Sequence, residues 1–227
     1  MTIATWNTER LKHYRQMDEI TSVCNRTGAD ILVLTEADKR IDLPYRSRVE
    51  SAQLPTPFYG ETERRVIVFS NYPVVERFST YDDQTSVCVE LETENGDIIV
   101  YGTIIGVFGN RNAEFRTGLI KQTEDFKLFN GMGKTFCVTG DFNVSFSDNW
   151  YFTHDGRKKL LDTFYNNKLS LVTKHLSNCI YHVAVSADFI ENATVLTEEF
   201  NCDRRLSDHK GTVVTIEQDR KSAFRKD

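Results

Sequence analysis

Residues 135–143 read Thr135-Phe136-Cys137-Val138-Thr139-Gly140-Asp141-Phe142-Asn143. The first five are apolar or β-branched and predict a strand. After the glycine come an aspartate and an asparagine, residue types that bond their own backbone in turns and also offer oxygen and amide groups to cations and phosphates. The same order recurs elsewhere. A strand over residues 2–6 ends on Asn7, and Ile31-Leu32-Val33-Leu34, read as a strand buried on both faces, is followed by Glu36. Ser207-Asp208-His209 stands just ahead of a last strand over 212–216. Polar side chains at the ends of buried strands are how α/β folds assemble sites.

Working outward, Val66-Ile67-Val68-Phe69 predicts a further buried strand, stopped by Asn71-Tyr72-Pro73. Val87, Val89 and Leu91 alternate with polar residues, and Asn95-Gly96 separates them from Ile98-Ile99-Val100-Tyr101, a hairpin pattern. Residues 180–185 form another strand. Met17, Ile20 and Cys24 recur at i, i+3, i+7 and predict a helix over 10–27 ending at Gly28. Leu119, Phe126 and Phe129 predict a helix over 116–130, and Leu160, Leu161, Phe164 and Tyr165 mark another. Three of the four prolines fall in residues 44–57, the expected long irregular connection. No internal repeat stands out. Many strands, few helices, and both hairpins and crossovers point to a mixed-sheet α/β sandwich.

Composition limits the function classes. The 227 residues are 40% hydrophobic and 27% charged, values of an ordinary globular chain, which excludes a disordered or fibrous one. With 28 Lys+Arg against 33 Asp+Glu, the net charge of −5 is not that of a globally basic nucleic-acid binder, although a local basic patch stays open. Five scattered cysteines without CxxC spacing read as small buried hydrophobes in a reducing compartment. With no apolar run near the ~20 residues a membrane span needs, a cytoplasmic protein without a membrane partner is the expectation.

Glu36, Asp141 and Asp208 would supply hard oxygen ligands of the kind Mg²⁺ takes alongside water and phosphate. Asn143 offers a neutral donor to a developing phosphoryl charge, and His209 a donor or acid. Each has a plainer reading: Glu36 opens a loop, Gly-Asp-x-Asn is a turn, Ser-Asp-His is a polar loop.

Taken together in this order, the residues are recognisable. Thr5-Trp6-Asn7, 29–36 (Ala-Asp-Ile-Leu-Val-Leu-Thr-Glu), 68–73 (Val-Phe-Ser-Asn-Tyr-Pro), Gly140-Asp141-Phe142-Asn143 and Leu206-Ser207-Asp208-His209 resemble the endonuclease/exonuclease/phosphatase superfamily across residues 2–217. The resemblance implies a four-layer α-β-β-α sandwich with two mixed, mainly antiparallel sheets in one domain, 1–218, followed by a charged tail, 219–227. It implies Mg²⁺- or Mn²⁺-dependent hydrolysis of a phosphate ester by in-line attack of water. Carried over by motif, Asn7 orients the site, Glu36 is the principal metal ligand and Asp208 supports the metal. Asp141 positions or deprotonates water, Asn143 stabilises the pentacovalent phosphorus, and His209 contacts the scissile phosphate.

Two departures qualify this. Where the family reads Ile-Asp-His, this chain reads Ile180-Tyr181-His182, so the carboxylate that partners the histidine at 209 is missing. Tyr181 can at best hydrogen-bond to His209, Asp203 is a substitute carboxylate, and His182 is expected beneath the site. At 101–106 the family's phosphate-contacting His or Tyr is absent, leaving Thr103 as a phosphate contact or a plain sheet residue. Arg40 and Arg111, within a wider set including Arg46, Arg48, Arg64-Arg65, Arg116, Arg204 and Arg205, are either substrate contacts or solvated surface charges. The reading is therefore a hydrolase of phosphodiesters, with DNA or RNA as the leading substrate. The alternatives are a phosphatase or phosphodiesterase for a small molecule or lipid headgroup, and a phosphate-binding member weakened by Tyr181.

Overall fold

The structure is a computed structural model that describes residues 1–218; the tail expected at 219–227 lies outside the described residues. In chain order the elements are β1 (Thr2–Asn7), α1 (Met17–Arg26), β2 (Ile31–Asp38), β3 (Ser47–Glu50), β4 (Glu63–Ser70), β5 (Val74–Phe78), β6 (Ser86–Thr93) and β7 (Gly96–Ile104). There follow α2 (Ala113–Asn130), β8 (Thr135–Asp141), α3 (His154–Asn166), β9 (Leu169–Leu171), β10 (Tyr181–Ser186), β11 (Ala193–Phe200) and β12 (Gly211–Gln218). They form two mixed six-stranded sheets, ordered β11-β12-β1-β2-β4-β3 and β5-β6-β7-β8-β10-β9. Adding six to each strand number of the first sheet, counting on from twelve to one, reproduces the second. Each sheet holds one parallel pair, β1 with β2 and β7 with β8, joined across α1 and α2 respectively; every other pairing is antiparallel.

Strand alternation divides the buried side chains into layers. Ile3, Ile31, Val33, Val66 and Val68 of one sheet face Val87, Val89, Val100, Cys137 and Val183 of the other. On the outer face of the first sheet, Ile20 and Cys24 of α1 pack on Leu32, Leu34, Ile67 and Phe69. On the outer face of the second, Phe115, Leu119 and Phe126 of α2 and Leu160 and Phe164 of α3 cover Tyr101, Phe136 and Val138. The result is the expected α-β-β-α sandwich. At Gly102 the sheets approach closely: a Cβ there would lie 3.0 Å from Val33 and 3.1 Å from Val66 and Val68.

Three sequence expectations need correction. The helix over 10–27 begins only at Met17; ahead of it lie two 3₁₀ turns, Glu9–Leu11 and Tyr14–Gln16. Glu9, Arg10 and Leu11 have φ of 51°, 54° and 55°, a left-handed turn that an α-helix cannot include. The proline-bearing connection at 44–57 contains β3, and β5, β9 and β11 were also unforeseen. These four are the outermost strands of the two sheets. Edge strands carry polar and charged side chains on their solvated face, so their apolar pattern is weak. Of the five cysteines, Cys202 is exposed, contrary to the buried reading. Among the described residues no helix is long and apolar enough to cross a membrane.

Gly140 lies in β8 opposite Thr103 of β7, with φ of 138°, and a Cβ there would fall 2.0 Å from the Thr103 carbonyl oxygen. Gly140→Ala therefore forces apart the parallel pair that delivers Asp141, and a loss of about 3 kcal/mol in urea unfolding is expected. A change under about 0.5 kcal/mol would show that the strand relaxes freely.

Candidate active site

Asn7, the fully buried last residue of β1, joins the two sheets. Its Nδ2 donates to Glu36 Oε1 at 3.0 Å and to Asp141 Oδ2 at 3.4 Å, while its Oδ1 accepts the Glu9 amide at 2.8 Å. Glu36 comes from β2, beside β1 in the same sheet, and Asp141 from the end of β8 in the other. Glu36 is itself left-handed, with φ of 43°. Its effect is visible in the packing. Ile31 and Val33 face the opposite sheet and Leu32 and Leu34 face α1, yet Ala37 sits with the second group, so the strand changes phase at Glu36. A non-glycine residue held left-handed costs of order 1–3 kcal/mol and persists where its surroundings fix it.

The electrostatics are those of crowded acids. Burial pushes the Asp141 carboxyl up to about 7, and the Glu36 charge adds to the effect, against the hydrogen bonds from the Asn143 and Asn7 N–H groups. No ion pair among the described residues engages Glu36 or Asp141. Carboxylates gathered around an amide, with no cationic side chain between them, are donors suited to a hard divalent cation whose remaining ligands are water or phosphate oxygens. Among the described residues no three His, Cys, Asp or Glu side chains close into a cage, so the fit is to an open-sided site.

On the other side of Asp141, the Tyr181 hydroxyl meets His209 Nδ1, and His209 Nε2 lies 2.8 Å from Asp208 Oδ1. Burial first, then the charges of Asp141, Glu36 and Asp208, raises the Tyr181 pKa well above that of an ordinary phenol, so it keeps its proton. Burial also lowers the His209 pKa, against the pull of Asp208. A neutral imidazole has one N–H, and a carboxylate only accepts. The tautomer follows: Tyr181 O–H donates to Nδ1, and Nε2–H donates to Asp208. The missing aspartate is thus replaced by a donor, which reverses the polarity of the bond at Nδ1.

Other expected residues have different partners. The Asn143 amide spends both N–H bonds on the carbonyls of Ile105 and Gly106, at 3.0 and 3.1 Å, so it pins that turn and has no donor left for a phosphorus centre. Thr103 is fully buried and its hydroxyl donates to Gln122 Oε1, which closes it off from any phosphate. Arg40 makes two 2.9 Å bonds to buried Asp38. Arg111 lines a cavity of about 540 Å³ between α2 and α3, separate from the groove at Glu36. Asp203 is exposed and faces Arg205, not His209. His182 does lie beneath the site, fully buried: Nδ1 meets the Thr173 hydroxyl at 3.0 Å and Nε2 the carbonyls of Val144 and Cys179 at 3.1 Å.

Sequence reading missed several supports. The Glu9 carboxylate accepts the Asp208 amide at 3.1 Å, Asn110 donates to the Asn143 carbonyl at 2.8 Å, and Asn201 donates to the carbonyls of Ser207 and His209 at 2.9 and 2.7 Å. Each is an isolated polar residue in a loop, with no spacing that would mark it. Ser207 Oγ, donating to the Asn7 carbonyl at 2.7 Å, ties the loop before the last strand to the first strand.

Two buried groups beneath these contacts pull stability in opposite directions with pH. Asp141 releases its proton near 7 in the fold rather than at the usual 3.8, so it withdraws stability as pH rises through that window, by about 4 kcal/mol in all. Burial lowers the His182 pKa to about 4 from 6.5, so it withdraws stability as pH falls through its own window, by about 3 kcal/mol. In chelator, these two slopes oppose each other in urea-unfolding stability between about pH 5 and 6.5, with His209, whose pKa burial also lowers, adding to the His182 side. Asp141→Asn should make it rise with pH and His182→Gln make it fall; slopes of the same sign in both variants would refute the assignment.

No curated protein sequence matches the chain. Among solved structures, the 3′ phosphatase NExo from Neisseria bound to product DNA hairpin aligns with TM-score 0.71 and 14% identity over 96% of this chain and 99% of its own. An AP endonuclease from Archaeoglobus fulgidus aligns with TM-score 0.69 and 12% identity over 95% and 99%. Beta toxin from Staphylococcus aureus with bound magnesium ions aligns with TM-score 0.65 and 14% identity over 96% and 99%. At such identities these likenesses speak for the fold. The family model of the Endonuclease/Exonuclease/phosphatase family matches residues 4–209, from the strand that carries Asn7 to His209 itself, and the chain belongs to that family.

Proposed function

We propose that residues 1–218 act as one domain that hydrolyses phosphodiester bonds of nucleic acid with Mg²⁺ or Mn²⁺. The observation that carries this reading is the convergence of Glu36 and Asp141 on the Asn7 amide, next to the Tyr181–His209–Asp208 row. The nucleic-acid half draws on the neighbours, which include a protein bound to a DNA product and an AP endonuclease, and the cation on one that holds magnesium.

In this reading Glu36 and Asp208 hold the cation, which when bound neutralises phosphate charge and polarises the ester. Asp141, with a pKa raised to about 7, takes a proton from water as the water oxygen bonds to phosphorus and the ester oxygen departs. Asn7 holds the two carboxylates apart and aimed. His209 can turn its Nε2–H from Asp208 to a non-bridging oxygen while remaining neutral. Asn143 contributes by fixing the turn at Ile105 and Gly106.

Asp141→Asn is expected to lower kcat by about 10²–10⁴-fold on a nucleic-acid substrate. Glu36→Gln should raise the Mg²⁺ concentration needed for half-maximal rate, and chelator should abolish turnover. The test uses plasmid, abasic duplex, single strand and small phosphate esters; cleavage indifferent to both substitutions would overturn the proposal.

Tyr181 favours one second reading, a member with weakened catalysis. Its hydroxyl donates to Nδ1 and opposes protonation of the imidazole, whereas a carboxylate there would accept from Nδ1 and favour the imidazolium. Tyr181→Asp is expected to raise kcat at least severalfold. An unchanged or lower rate, in a variant that melts like the parent, would show that the neutral tautomer is the working one.

A further inference from the structure

The β2–β4 ladder pairs Thr35 with Val66 and Ala37 with Arg64, which leaves Arg65 across from Glu36. A groove of about 190 Å³ opens there, and the arginines along it differ in their partners. Arg10 is ion-paired to Glu63 at 2.6 Å and Arg64 to Glu50 at 3.1 Å. Arg65 has no ion pair among the described residues. Its buried Nε has no hydrogen-bond partner, and Nη2 reaches only the Tyr59 hydroxyl at 3.3 Å. Tyr59 steadies it: the guanidinium carbons of Arg65 and Arg10 lie 5.4 and 4.9 Å from the ring centroid, within cation–π range.

Arg65, Val107 and Phe108 also line a second cavity of about 400 Å³, so the groove runs past Phe108 away from Glu36. Phe108 is 71% exposed, so the face of its ring is open to a ligand in the groove. An uncommitted guanidinium with an exposed ring beside it matches a phosphate joined to a flat aromatic group. Leu54, Val107 and Phe108 give one wall of the groove an apolar surface that suits the flat face of a base. A base can lie on Phe108 only if it has left its own stack, and the cavity beyond suits a single base rather than a duplex.

We propose that this groove holds the nucleotide adjoining the scissile phosphate in an unpaired state, its own phosphate on Arg65 and its base on Phe108. The enzyme's substrate is then a polynucleotide with a single-stranded segment on the Glu36 side. This rests on the nucleic-acid reading above and narrows it. Phosphate contacts by arginine position a strand without reading it, and stacking on a ring tolerates any base.

The test is binding, measured separately from cleavage. In an Asp141→Asn background, fluorescence anisotropy compares labelled oligo-dT, oligo-rU and a blunt duplex of equal length across a salt series. The single strands should bind more tightly than the duplex. Arg65→Gln should lower the slope of log K against log salt by about 0.7, the loss of one phosphate contact on a single strand. Phe108→Ala should weaken binding roughly 5- to 100-fold at unchanged slope. Arg26→Gln, on α1, should alter neither, and thermal melts check that each variant folds. Duplex bound as tightly as single strand, or an unchanged slope for Arg65→Gln, would overturn the proposal. Turnover of small esters by the parent without oligonucleotide binding would sink this groove and leave a phosphohydrolase; the expected binding pattern without any hydrolysis would sink the hydrolase and leave the groove.

Discussion

Everything at the site depends on one amide. Asn7 Nδ2 binds a carboxylate from each sheet, and no other polar group could take its place so simply. A lysine or arginine would neutralise the pair and fill the space a cation needs, and an aspartate would add a third negative charge to a buried cluster. An amide supplies two donors without net charge, so the acids come together while their repulsion stays unresolved. Burial first, with the Glu36 charge adding to it, raises the Asp141 pKa.

The architecture explains how one amide can reach both. Each sheet is built on the same order of strands, with a parallel pair at its centre joined through a helix. The ends of the two parallel pairs meet where the sheets are stacked, so corresponding positions of the two halves deliver Glu36 and Asp141. The two halves differ in chemistry. Asn7 closes β1, whereas near the end of β7 Thr103 has turned to α2 and Gln122. The first sheet supplies the orienting amide, and the second is stiffened by an internal polar contact instead.

The central strands were legible in the sequence because they are buried on both faces and nearly all apolar, and the polar residues ending them were legible because they interrupt that run. The outer strands were not, since residues such as Glu76 and Arg77 of β5 serve solvent as much as the sheet. Asn7, Glu36, Asp141, Asp208 and His209 could be read from motif order. What no linear pattern shows is how each polar atom is spent. Asn143 reads as a donor to phosphate and proves committed to two backbone carbonyls, and Arg40 reads as a substrate contact and proves committed to Asp38. Side-chain hydrogen bonds are decided by neighbours remote in sequence, as with Glu9 and Asp208. The matching strand order of the two sheets was equally invisible, because it is set by how the strands pair and not by any repeat in the residues.

The valines packed on Gly102 fix how far apart the two sheets stand. Because the two acids ride on different sheets, the thickness of the apolar layer between them acts as the gauge that sets their separation. Val33, Val66 and Val68 pack against Gly102 of the facing sheet, on the same strands that carry Glu36 and Arg65. Enlarging or trimming any of them would tilt one sheet against the other and move the acids by fractions of an ångström. Such a change leaves every polar residue intact. The spacing of the two acids is therefore tied to the hydrophobic core between the sheets as well as to the polar residues around them.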